Sequence, residues 1–198
     1  MNYDKEMIKI IESLDFKPTL LLHSCCGPCS TAVIERLINY FDITVLYYNP
    51  NIEPYNEYLH RKNEQIKVLK EFNINFLDCD YDNEAFKKIE KGLENDVEGG
   101  SRCHKCYYLR LNKTFLLASE NNYDYFTTTL TVSPYKNSKV LNEMGLNLET
   151  DNCKYLVSDF KKREGYKRSI ELSKKLDLYR QEYCGCLNSL EYIKKESD

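Results

Sequence analysis

Apolar positions along the chain fall into blocks whose period switches between helix-like and strand-like. Leu20-Leu21-Leu22 is a short apolar run bounded by polar residues, which predicts a buried strand ending in a turn at His23 to Cys29. Upstream, Met7, Ile8, Ile11 and Leu14 recur at helical spacing and predict an amphipathic helix over residues 4–14. Downstream, Val33, Ile34, Leu37 and Ile38 repeat with the same period. Pro28 suits the first position of that helix, which is expected to run to about Tyr40. Further strands are predicted at Ile43 to Tyr48, Ile74 to Leu77, Tyr125 to Leu130 and Tyr155 to Val157. Helices are predicted from Tyr55 to Phe72, from Asp82 to Leu93, and near Ser138 to Met144. Another opens at Cys103-His104-Lys105-Cys106, with Leu109, Leu111, Phe115 and Leu116 as its apolar positions. A basic helix is expected from about Glu164 to Leu176 and a short final one after Cys186. Asn49 to Pro54 and Asn95 to Arg102 read as irregular loops.

This alternation predicts an α/β fold: a three-layer, mostly parallel sheet with right-handed crossovers. A chain of 198 residues can bury one good core, so residues 1–198 are expected to form a single domain. Its α/β core would span 15–157, followed by a basic helical segment over 158–198. No apolar run approaches the roughly 18 residues that span a bilayer, so no membrane association is expected. The start, Met1-Asn2-Tyr3-Asp4-Lys5-Glu6, lacks the features of a secretory signal, which places the chain in the cytoplasm as an expectation. Thiols stay reduced there, so nine cysteines argue for metal binding or redox catalysis over structural disulfides.

The cysteines are clustered. His23-Ser24-Cys25-Cys26-Gly27-Pro28-Cys29 sits where a strand hands over to a helix, the place where α/β sheets bind ligands. Thiolates at a helix N-terminus are poised for a metal or for redox chemistry, although a buried Cys is also simply a small hydrophobe. Cys25, Cys26, Cys103 and Cys106 offer four thiolates from two helix-opening turns, suited to a [4Fe–4S] cluster or to tetrahedral zinc. Adjacent cysteines are awkward for a zinc tetrahedron, which favours the cluster. Cys184-Gly185-Cys186 can close only a small, strained and readily reduced disulfide ring, with Gly185 supplying backbone freedom. That pair reads as redox-active, with two further metal ligands or a buried turn as the alternative. Cys79 and Cys153 read as structural, and Cys29 stays open between packing and a metal.

Charge adds one feature. The net value is −3, yet residues 154–198 carry eleven Lys and Arg against eight Asp and Glu. Lys161, Lys162, Arg163, Lys167 and Arg168 lie there, either as a solvated helix face or as phosphate contacts to a nucleic acid.

Six motifs in order resemble the cobalamin-independent epoxyqueuosine reductase (QueH) family over about residues 19–190. They are His23-x-Cys25-Cys26-x-Pro28-Cys29-Ser30, Asn49-Pro50-Asn51-Ile52-x-Pro54-x-x-Glu57-Tyr58-x-x-Arg61 and Glu98-x-Gly100-x-Arg102-Cys103-x-x-Cys106-Tyr107. The others are Thr128-Thr129-Leu130-x-x-Ser133-Pro134-Tyr135-Lys136-Asn137, Asp159-Phe160-Lys161-Lys162 and Tyr179-Arg180-Gln181-x-Tyr183-Cys184-Gly185-Cys186. The resemblance implies a Rossmann-like fold of the adenine-nucleotide α-hydrolase (PP-loop) kind, with thiols in place of the nucleotide loop. It implies a [4Fe–4S] cluster on Cys25, Cys26, Cys103 and Cys106, a redox-active Cys184–Cys186 pair, and a second iron or other metal ion without assigned ligands. The implied reaction reduces epoxyqueuosine to queuosine in a tRNA anticodon loop, with an external electron donor. Two other readings are an adenylyl-sulfate-type iron–sulfur reductase, for which His23 to Gly27 makes a poor phosphate loop, and a non-catalytic metal-stabilised RNA-binding module.

Overall fold

The computed structural model describes residues 1–190. Five parallel strands, β1 (Thr19–His23), β2 (Asp42–Leu46), β3 (Asn75–Leu77), β4 (Tyr125–Thr128) and β5 (Lys154–Tyr155), form one sheet in the order β3-β2-β1-β4-β5. The chain builds outward from β1 to β3 and then returns to the other side of β1 for β4. That reversal creates a switch point beyond the carboxyl ends of β1 and β4, where the crossovers diverge and leave a crevice.

The apolar run of β1 is central, so both of its faces are covered. Leu20 and Leu22 point into a core completed by Met7 of α1 (Tyr3–Glu12), by Val33, Ile34 and Leu37 of α2 (Gly27–Leu37), and by Val68 and Leu69 of α3 (Tyr55–Phe72). Leu21 points the opposite way, to Leu111 and Ala118 of α5 (Ser101–Glu120) and Leu141 of α6 (Ser138–Leu148). The period-2 alternation of a strand thus divides one Leu-Leu-Leu run between two helical layers. Between β3 and α5 lies α4 (Asn83–Glu90), and α7 (Gly165–Lys175) packs on α2.

The expected strand through Leu130 is cut short. At Thr128 the side-chain oxygen accepts the Leu130 amide, and residues Thr129–Val132 coil into a 3-10 turn at the switch point. Leu116, expected on the apolar face of α5, is exposed. Much of the short helix expected after Cys186 lies outside the described residues. The other helices sit within a few residues of their predicted limits. Gly27, the first residue of α2, lies so close to α3 that an added Cβ would meet the Glu64 carbonyl carbon and oxygen at 2.9 Å. Glycine there lets the thiol turn press against α3.

Asp4 ties the N-terminal helix to the core. Its carboxylate pairs with Arg36 at the end of α2 and, at 3.1 Å, with Arg163 ahead of α7. Burial pushes its pKa up, but the hydrogen bonds from Arg36 and Arg163 outweigh that and hold it below its ordinary 3.8. A carboxyl that binds its proton less readily when folded contributes stability above the unfolded pKa and loses it as pH falls through the folded one. Asp4→Asn should therefore destabilise the fold by about 1–3 kcal/mol at pH 7. Urea melts should find the gap to wild type closing below pH 4; a gap that persists unchanged at pH 2 would assign the loss to packing instead.

A thiol-lined cavity at the switch point as candidate active site

The thiol turn is shaped by capping. Cys26 is the N-cap of α2 and its sulfur accepts the Cys29 amide at 3.4 Å. N-cap and third-helical residues face each other in any capped helix, so Cys26-x-x-Cys29 brings two sulfurs together. Cys25 joins them: its Sγ lies 3.9 Å from that of Cys26, and all three sulfurs fall within 4.8 Å of one another. Thr129, on the 3-10 turn, accepts the Cys25 amide at 3.1 Å and lies 3.4 Å from its sulfur, bridging the ends of β1 and β4. Hydrogen bonds from Cys26 and then Cys29 draw the Cys25 pKa well below the usual thiol value. Burial pushes Cys26 up to about 12, and the neighbouring thiols raise Cys29. Of the three thiols, Cys25 gives up its proton most readily.

The second thiol pair opens α5, where the Cys103 sulfur accepts the Gly99 amide at 3.3 Å. Cys103 is half-buried and Cys106 buried, and burial pushes Cys106 up to about 11. Neither belongs to the tight three-sulfur group among the described residues. Both pairs meet through cations instead. Arg110, one helical turn beyond Cys106, is 1% exposed and feels the charges of Cys106, Cys184 and Cys25. Lys136, on the loop after the 3-10 turn, feels Cys184, Tyr107 and Cys25; burial works against its ammonium, yet these neighbours hold its pKa above the ordinary lysine value.

Cys184 belongs to the chain's return across the site. A cavity of about 660 Å³ is lined by Cys25 and Cys29 together with Lys136, Arg110, Arg180 and Cys184. Cys186 points away from it, buried against Phe86 and Cys106, and burial pushes its pKa up to about 12. Gly185 sits at φ +139°, and its carbonyl accepts the Glu53 amide at 2.9 Å. A Cβ there would meet Asn51 and Ile52 at 2.9 Å, so only glycine allows the Cys-Gly-Cys turn to lie against the Asn49–Pro54 loop.

The residues fit an anionic iron–sulfur group. The donors are thiols carried by two helix N-termini, and the Nη2 of the buried Arg110 has no hydrogen-bond partner among the described residues. A guanidinium left uncompensated in such a place needs negative charge beside it, which ligated thiolates provide.

The remaining candidate residues divide by their surroundings. His23 is buried and fully used: Nδ1 lies 2.9 Å from Thr128 Oγ1 and Nε2 3.0 Å from the Tyr48 carbonyl. Burial lowers its pKa to about 4, so it is a neutral scaffold residue. His60 stacks against Tyr179 and His104 lies near Tyr107. Cys153 is packed in the core and Cys79 is half-buried. Of the basic residues, Lys161 pairs with Asp159, Arg163 with Asp4, Lys167 with Glu164, and Arg168 with Glu35 and Glu171. Only Lys162 has no carboxylate partner among the described residues. The cations that reach the cavity, Arg110, Lys136 and Arg180, are scattered singly along the chain and leave no charge cluster for a sequence reading to find.

The sequence model of the family described as Epoxyqueuosine reductase QueH matches residues 20–192. The chain belongs to the QueH family. It is 42% identical over 199 residues to a protein named epoxyqueuosine reductase QueH from Staphylococcus epidermidis, covering 94% of this chain and 84% of the relative. To the protein of that name from Thermotoga maritima it is 34% identical over 176 residues, covering 87% of this chain and 90% of the relative. Among solved structures, the U34-tRNA thiolase NcsA from Methanococcus maripaludis, described with its [4Fe-4S] cluster, superposes with a TM-score of 0.56 at 13% identity. The alignment covers 91% of this chain but 65% of that one, and it shows a shared α/β, PP-loop-like fold. No helix among the described residues is long and apolar enough to cross a membrane.

In this QueH-family chain a buried arginine clamps the C-terminal return onto α3. Arg61 pairs with Glu57 at 2.7 Å, donates to the Cys184 carbonyl at 3.3 Å and lies 4.7 Å from the centre of the Tyr183 ring. Tyr179 reinforces the clamp, its amide on Glu64 and its hydroxyl on Glu57. Arg61→Gln should free residues 183–186 and raise their amide exchange, and that of Glu53, about 10- to 100-fold, as expected for loss of charge-assisted hydrogen bonds. Exchange of β1 should change far less. Equal acceleration in β1 would mean that Arg61 supports the whole fold.

Proposed function

We propose that this chain reduces epoxyqueuosine at the wobble position of tRNA to queuosine with loss of water. Family membership supports the reaction. The observation that carries the mechanism is the single cavity facing both the thiol turn and Cys184.

Opening and removing an epoxide oxygen requires two electrons and two protons. A Cys184–Cys186 dithiol supplies both when it closes to a disulfide, so the atoms balance as alkene, water and disulfide. A reductant of the dithiol class then resets the pair. Cys184 lines the cavity and Cys186 lies behind it, which suits attack by one sulfur and ring closure by the other. Lys136 Nζ and the Arg110 guanidinium supply positive charge where an oxygen becomes alkoxide-like, and Lys136 carries a proton for it. In this reading Cys25, Cys26, Cys103 and Cys106 hold a [4Fe–4S] cluster, and Cys29 stands beside it as an extra sulfur for a second metal ion. When bound, the cluster supplies one-electron relay and Lewis acidity next to the cavity. Lys161, Lys162, Arg163, Lys167 and Arg168 act as outer contacts to tRNA phosphates.

Anaerobically reconstituted protein should bind about four irons and four sulfides, and convert epoxyqueuosine-containing tRNA to queuosine-containing tRNA in a nucleoside digest. Cys184→Ala and Cys186→Ala should each retain iron and cluster absorbance yet lose conversion by at least about 100-fold, a barrier rise of near 3 kcal/mol. Colourless protein holding one zinc would overturn the cluster. Near-normal turnover in either variant would overturn the dithiol as electron source.

A further inference from the structure

The cavity lining also carries aromatic rings and one anchored guanidinium that the reduction itself does not use. Tyr135 lines the cavity yet is 81% exposed, the most exposed large aromatic side chain among the described residues. It stands on the turn after the 3-10 segment, whose geometry is held by the Ser133 hydroxyl accepting the Tyr135 amide at 3.3 Å. A tyrosine left this open gains nothing from the core. Its place at a cavity rim, beside the half-buried Lys136, suits an aromatic ligand in transit from solvent.

Arg180 lies in the same wall. Its Nη1 donates to the Ser169 carbonyl at 3.3 Å and to the Ser173 hydroxyl at 3.1 Å, both on α7. Its guanidinium sits 5.8 Å from the centre of the Tyr166 ring, another lining residue. No carboxylate pairs with it among the described residues, whereas most of the basic residues between 161 and 168 are paired. One end of the fork is fixed and the rest is free to bind an anion.

Resting on the reading of the chain as a tRNA-wobble reductase, we propose that Tyr135 is the stacking platform for the everted wobble base and that Arg180 binds a backbone phosphate flanking it. Chemistry on a base inside an ordered loop requires the base to leave its stack, and a protein aromatic face offsets the stacking that is lost. Both residues face one cavity, so base and phosphate are taken as one nucleotide. The base is oriented with its modified side chain toward Cys184 and the thiol turn. Tyr135 is a binding residue and takes no part in electron or proton transfer.

The test uses full-length protein and two anticodon hairpin RNAs, one carrying epoxyqueuosine at the wobble position and one abasic there. Tyr135→Ala should weaken binding of the intact hairpin about tenfold and leave the abasic hairpin unaffected, because only the base meets the ring. Tyr135→Phe should restore the affinity. Arg180→Gln should weaken both hairpins alike and reduce the slope of log affinity against log salt by about 0.7, one phosphate contact to a single strand. Equal weakening of both hairpins by Tyr135→Ala, or none, would overturn the platform. An unchanged salt slope in Arg180→Gln would overturn the phosphate contact. If wild type bound both hairpins with the same affinity and made no queuosine, the reductase reading itself would fail, a result distinct from either variant's.

Discussion

Arg110 is a positive charge buried among sulfurs with no carboxylate paired to it among the described residues, and the site depends on that constraint. The residue is 1% exposed, bonds the Cys106 carbonyl through Nε at 3.3 Å, and has no partner for Nη2 among the described residues. An uncompensated buried charge costs several kcal/mol, so the fold must place anionic groups nearby. Cys25 supplies one as the low-pKa thiol of its turn, while Cys106 and Cys26 are pushed toward neutrality by burial. Lys136 adds a second cation to the same space. Arg180, Glu98 and Glu182 line the same cavity, so the charge felt there is set by which side chains lie nearest. A cation held against an oxygen in the cavity favours its alkoxide form.

The lid of the cavity is a chain return held at separate points by α3, by α7 and by the Asn49–Pro54 loop. Arg61, Glu57 and Tyr179 fix residues 179–184 to α3, and the Gly185 carbonyl meets the Glu53 amide. These bonds join segments more than a hundred residues apart, yet residues 179–186 include no strand of the sheet. A segment attached in this way can open at lower free energy than the sheet beneath it. The proposed role of Cys184 and Cys186, meeting a large RNA in one state and a reductant in the next, suits such a segment better than β1.

Much of this was legible in the sequence because it follows from periodicity. The Leu20–Leu22 run, the 18 residues of α3 and the two Cys-bearing helix starts each carry their own local signal. Strand ends were less legible: Thr128 halts β4 through a side-chain hydrogen bond, while the β-branched run Thr127 to Thr129 favours a strand reaching Leu130. Cys29 was left open, although its i, i+3 relation to Cys26 is the capping spacing that brings the sulfurs together. The cavity cations were not singled out, although Lys136 and Arg180 stand within the family motifs. Arg110, Lys136 and Arg180 come from three distant segments, and only the fold makes them neighbours.

The comparison of folds gives the thiol turn a physical meaning. In a PP-loop-like sheet the turn after the first strand opens a helix whose free amides suit phosphate. Here the first-turn amide of Cys29 already points at the Cys26 sulfur, and the Gly99 amide ahead of α5 points at Cys103. Sulfur thus occupies the place an anion's oxygen would take at both helix starts. The positive end of each helix dipole lowers the energy of a thiolate as it would that of a phosphate, though over one turn only. Conversion of a phosphate cradle into a thiol-lined one therefore needs no new backbone. It needs cysteines at the N-cap and third position, a glycine at residue 27 so that α2 can lie against α3, and a buried arginine to keep the sulfurs charged.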